Sequence, residues 1–79
     1  MSPTVFRAQG YRFFFFSREE PRLHVHVMSE TGEAKYWLEP AVELAKNHRL
    51  SRQELREIEV IIEARRHEIE LAWNAHFGG

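Results

Sequence analysis

The chain contains no cysteine, so it has neither a disulfide framework nor a thiolate metal site, and a reducing compartment suits it. Four glycines and three prolines in 79 residues leave no flexible linker, repeat or low-complexity segment. The longest apolar run, Phe13-Phe14-Phe15-Phe16, falls far short of the roughly 20 residues that a membrane-spanning helix needs. The opening Met1-Ser2-Pro3-Thr4 lacks the pattern of a signal peptide. These absences predict a soluble, cytoplasmic protein with no membrane partner. Also missing are a nucleophile elbow, a Gly-rich phosphate loop and a paired-carboxylate motif, which removes the sequence basis for the common hydrolase and kinase classes. A formal net charge of −1 supplies no global field to gather nucleic acid, and no DNA partner is expected.

What the chain does have is aromatic bulk and charge in local groups. Six Phe, two Trp and two Tyr supply much of the core that a single domain over residues 1–79 can build. Arg7, Arg12 and Arg18 precede any acidic residue, and Lys46, Arg49, Arg52 and Arg56 surround the single Glu54. These are two local basic stretches in a chain of balanced charge.

Alternation and turn residues predict strands over residues 4–7, 11–17, 23–28 and 34–38, with Gly10 and Gly32 in the turns. Pro40 suits the first position of a helix and predicts a short one over 41–47. Ser51 with Glu54 forms a capping box, and Leu50 with Leu55 a hydrophobic staple, at the start of a long helix over 52–77. Its apolar stripe is Leu55, Ile58, Ile62, Ile69, Ala72, Trp73 and His76, with one interruption at Arg65, whose stem can cover apolar surface. Gly78-Gly79 stop it. The predicted fold is α+β: a four-stranded antiparallel meander sheet packed on one face by a short and a long C-terminal helix.

Strand parity sends Leu23, Val25 and Val27 to one face of the sheet and His24, His26 and Met28 to the other. If helices cover the Leu-Val-Val face, the histidines lie on the open one. Phe14, Phe16 and Trp37 are then candidates for binding a partner protein or a second copy, because a monomer rarely exposes so much aromatic surface. Two imidazoles near neutrality can act as base and acid, so His24 and His26, with Lys35 as electrostatic stabiliser and Arg12 and Arg22 on phosphates, form a candidate metal-independent ribonuclease site. No cofactor is required by the residues. A divalent metal such as zinc is the one the His-x-His pair would take, with Glu33 or His76 as a third ligand. Trp73 belongs to the core, and His48 and His67 to the solvent.

Several stretches carry a family resemblance. They are Pro3-Thr4-Val5-Phe6-Arg7, Tyr11-Arg12-Phe13-Phe14-Phe15, the histidine pair after a proline, the run Glu33-Ala34-Lys35-Tyr36-Trp37-Leu38-Glu39-Pro40, and Ala72-Trp73-Asn74-Ala75-His76-Phe77. With these the chain resembles, nearly end to end, a family of short bacterial proteins known as domain of unknown function 4160. The family usually reads Pro-Pro-His-x-His, whereas Pro21-Arg22-Leu23 precede His24 here. The resemblance implies a bacterial cytoplasmic protein, commonly encoded beside another small domain in an arrangement like that of toxin-antitoxin pairs. The leading expectation is therefore a protein-binding member of a two-protein module, with the ribonuclease-like toxin and the metal-binding protein as alternatives.

Overall fold

Gln9 and Gly10 both hold positive φ, 53° and 86°, the combination a two-residue turn needs to reverse right-twisted strands. In the structure, a computed structural model that describes residues 4–16 and 21–78, they join β1 (Thr4–Ala8) to β2 (Tyr11–Phe14). β3 (His24–Met28) and β4 (Glu33–Trp37) follow, closed by a turn in which Ser29 N–H donates to the Gly32 carbonyl at 2.9 Å. Glycine is required at 32, because a Cβ there would run into the backbone carbonyl of His48.

That approach of His48 reveals a correction. Residues 41–47, expected as a short helix, contain most of a fifth strand, β5 (Glu43–His48), so the sheet has five antiparallel strands in the order β1-β2-β3-β4-β5 rather than four. The Glu39–Pro40 peptide is cis, not the trans proline of a helix start. A helix of seven residues is marginal by itself, whereas the free edge of β4 offers a ladder of backbone partners, and this pairing overrides the helical preference of Ala41, Leu44 and Ala45. Both edge strands are irregular. β1 shifts register between Thr4 and Phe6, and Lys35 pairs with Lys46 while Tyr36 pairs with Leu44, which makes Ala45 a bulge.

Asn47 closes the next turn by accepting from Leu50 N–H at 3.1 Å and donating to its carbonyl at 3.1 Å. The capping box then forms: Glu54 N–H donates to Ser51 Oγ at 3.1 Å, and Ser51 N–H to Glu54 Oε1 at 2.9 Å. It starts α1 (Arg52–Ala64), which is followed by α2 (Arg66–Trp73) and a π-type turn over Asn74–Gly78. The single helix expected over 52–77 is thus divided at Arg65, where φ is −117° and ψ 23°. Its guanidinium lies 3.6 Å from the centre of the Phe6 ring and makes two 2.9 Å bonds to Glu68, so the residue that interrupts the stripe also interrupts the helix. The strand expected to reach Ser17 ends at Phe14. The expectations for Ser17, Arg18 and Gly79 lie outside the described residues. Among the described residues no helix is long and apolar enough to cross a membrane.

The helices cover the face that carries Phe13, Val25, Val27 and Tyr36, and Ile58, Ile62 and Ile69 complete a fully buried cluster with them. Each such side chain contributes about 1.5–3 kcal/mol on burial. Two phenols tie the layers together. Tyr11 Oη donates to Glu57 at 2.8 Å, and Tyr36 Oη shares its proton between the Leu55 carbonyl at 3.1 Å and Glu59 at 3.2 Å. Replacing Tyr36 by Phe should cost about 1–2 kcal/mol in urea denaturation. Burial first, then the Glu57 hydrogen bond, pushes the Tyr11 phenol up to about 12, and burial with Glu59 raises Tyr36 as well. Because folding favours the protonated phenol, the Tyr11 contribution is complete below the ordinary tyrosine value near 10 and is lost as pH rises through about 12. Urea midpoints taken across that window should fall in the native protein and fall less in Tyr11→Phe; equal slopes would remove Tyr11 from the alkaline transition.

Candidate functional site

Burying Val25 and Val27 under the helices commits the other parity of β3 to the opposite face, and the register extends that face across the sheet. Phe14 stands opposite His26, His26 opposite Lys35, and Lys35 opposite Lys46, one row over four strands. A second row runs Arg7, Arg12, Met28, Glu33 and His48, and a third begins His24, Trp37, Glu43. The sequence-derived candidates therefore share the sheet face opposite the main helix-packed one, but they divide into two groups along it, and α2 reaches round to cover the group at His24, which was expected on the open face.

The first group surrounds His24. This side chain is fully buried, since α2 brings Trp73 round to it, with ring centres 5.1 Å apart, while Trp37 lies at 5.4 Å and His26 at 5.1 Å. Trp73 is a core residue, as its spacing predicts, and packs edge-on against Phe15 at 5.3 Å. His24 Nδ1 stands 2.6 Å from the Arg22 carbonyl. A carbonyl only accepts, so Nδ1 carries a proton and donates in this contact. Trp37 is flanked by two cations, the Arg22 guanidinium at 4.2 Å and the Lys35 ammonium at 4.3 Å from its centre. Arg22 also donates to the Glu39 carbonyl at 3.1 Å and lies 3.8 Å from Glu43. His76 makes its ring contacts with Phe15 and Phe77.

The second group lines a cleft of about 240 Å³. Phe14, Phe16 and His26 contribute from the β2–β3 side, Lys35, Lys46 and His48 from β4 and β5, with Glu33 as its acid. Phe14 is buried at the floor beneath Phe16, at 5.4 Å, and is stacked with His26 at 5.5 Å and capped by the Arg12 guanidinium at 4.6 Å. Phe16 retains 46% of its surface and meets the His26 ring at 4.4 Å. The cleft thus combines an accessible aromatic ring, two imidazoles, two ammonium groups and one carboxylate. It is suited to an anionic group with an apolar neighbour.

Of the residues named from the sequence, His26, Lys35, Glu33, Phe14 and Phe16 meet at the cleft, while His24 and Trp37 sit beside it under Trp73 and Arg22. Lys46 and His48 were not anticipated there. The signal that would have found them is a strand over 43–48, which a helical reading of that segment hides. Among the described residues no group of three or more His, Asp or Glu side chains is arranged to hold a metal ion.

The family described as Domain of unknown function (DUF4160) matches residues 10–74, the stretch from the first hairpin through the end of α2. No curated protein and no solved structure matches the chain.

Diethyl pyrocarbonate should discriminate the histidines. In the native protein His67, with 84% of its side chain exposed, and His48 should be modified readily while His24 is protected. Trp73→Ala should cost about 3–5 kcal/mol in stability and open His24 to the reagent. Modification of native His24 as fast as His67, read by peptide mass spectrometry, would contradict its burial.

Proposed function

The chain belongs to the DUF4160 family, and on that premise we propose that it is the protein-binding member of a small two-protein module of the toxin-antitoxin kind, docking an acidic partner on its helix-free sheet face. The observation that carries this reading is the cleft between Phe16 and the Lys35–Lys46 pair. At about 240 Å³ it is smaller than the roughly 300–1,000 Å³ of a typical small-molecule site, so it suits one projecting group of a larger partner. Exposed Phe16 and Met28 supply apolar contact, and Arg7, Arg12, Lys35 and Lys46 on the same face complement acidic side chains.

Under this reading His24 is a structural histidine that orders the Arg22 turn and the two tryptophans. Of the two histidines the nuclease alternative pairs, only His26 lines the cleft, where its neighbour is His48, and His24 is enclosed by Trp73 and Trp37, so the pair named for acid-base catalysis is divided between two environments.

Co-expression with the product of the adjacent reading frame, followed by size-exclusion chromatography with light scattering, tests the proposal. The native chain should elute as a heteromeric complex. Phe16→Asp and Lys46→Glu should release the partner, and Lys46→Glu should do so while leaving stability within about 0.5 kcal/mol of native, as exposed substitutions do. Separate elution of the two native proteins, or a homodimer of this chain that survives beside the neighbour, would overturn it.

A further inference from the structure

Two ladders on the helix-free face set like charges directly opposite one another: Arg7 against Arg12, and Lys35 against Lys46. Directly opposed like charges cost a sheet stability, and an anion placed between them removes that cost. The second pair lies in the continuous row Phe14, His26, Lys35, Lys46, whose members stand on strands about 4.8 Å apart. The rest of the molecule does not share this bias. α1 and α2, with Arg65 between them, carry Glu54, Glu57, Glu59, Glu63, Glu68 and Glu70 against Arg52, Arg56, Arg65 and Arg66, so the formal net charge of −1 conceals a basic sheet face backed by an acidic helical one.

We infer that this row is a subsite for single-stranded RNA. One phosphodiester group sits between Lys35 and Lys46, the adjoining base lies against the exposed ring of Phe16, and the Glu33 carboxylate accepts the proton of a ribose 2′-hydroxyl. Each part follows from chemistry at the cleft. Lysine ammoniums are compact point charges suited to a phosphate oxyanion, and two of them, Lys35 and Lys46, line the cleft. An exposed phenylalanine accepts any base by stacking. An acid in a cationic cleft opposes phosphate binding unless it has a hydroxyl to accept from, and the 2′-hydroxyl is the group that separates RNA from DNA. The inference does not depend on the partner reading. Since both use one face, an acidic partner and RNA exclude each other.

Fluorescence anisotropy of a labelled oligouridylate of about twelve nucleotides, titrated with the chain alone at low salt, tests it without the partner. The expected result is saturable binding that weakens with salt, with a log–log slope of about −0.7 for the one phosphate neutralised. Lys46→Ala should weaken binding and make that slope shallower. Phe16→Ala should weaken binding about tenfold with the slope unchanged, as loss of stacking requires. Oligodeoxyuridylate should bind several-fold more weakly. No anisotropy change with the native chain, equal binding by the Lys46→Ala and Phe16→Ala variants at native melting temperature, or equal affinity for a polyglutamate peptide of matched charge would overturn the inference. Equal affinity for the deoxy strand would overturn the RNA assignment.

Discussion

The contact on which everything else depends is the burial of Phe13, Val25, Val27 and Tyr36 beneath Ile58, Ile62 and Ile69. Strand side chains alternate, so enclosing one parity commits the other to the opposite side with no further instruction. The tyrosines then fasten what the apolar layer has chosen. Tyr11 and Tyr36 come from the second and fourth strands, and both reach acids or carbonyls on α1, which holds the helix across the sheet. A slip of β3 by one residue would place both histidines under the helices, where the cost of burying polar groups opposes it.

The division of the C-terminal helix at Arg65 has a comparable reach. Hydrogen bonds from Arg65 N–H to Ile61 and from Ile69 N–H to Arg65 continue the helical pattern through it, yet the interruption lets the second segment deliver Trp73 to Phe15 and His24. That delivery splits a histidine pair that looks equivalent in the sequence. His24 becomes part of an aromatic cage with Trp37 and Trp73, and His26 becomes part of the cleft with Phe14 and Phe16. The two imidazoles are near neighbours in space and occupy different environments.

Much of this was legible in the chain. The parity of Val25 and Val27 against His24 and His26, the Ser51–Glu54 box, the turn at Gly10 and the placement of Tyr36 and Trp37 on opposite faces all follow from local periodicity, and local periodicity survives folding where the core is regular. The segment from Glu43 to His48 did not read correctly because its bulge at Ala45 puts Glu43 and Lys46 on the same face, erasing the alternation that marks a strand, while its composition favours helix. Misplacing that strand concealed Lys46 and His48 from the cleft. The covering of His24 by Trp73 was likewise unreadable, since it depends on where a helix ends after an interruption whose only mark in the sequence is an arginine in an apolar stripe. Most of the cleft came from segments that alternation reveals, and Lys46 and His48 from a strand that tertiary pairing imposed.

The bulges in β1 and β5 bear on how the molecule behaves in a crowded solution. A five-stranded sheet that is open at both sides presents two rows of backbone donors and acceptors, which in flat strands would template the addition of further chains. Here each terminal strand is locally bent out of register, and β5 also carries Lys46 near its bulge, so lateral growth into fibres is discouraged at both ends. Exposed aromatic surface is thereby kept apart from the edges: Phe16 lies on the flat of the sheet, away from the rows of backbone donors and acceptors through which strands add.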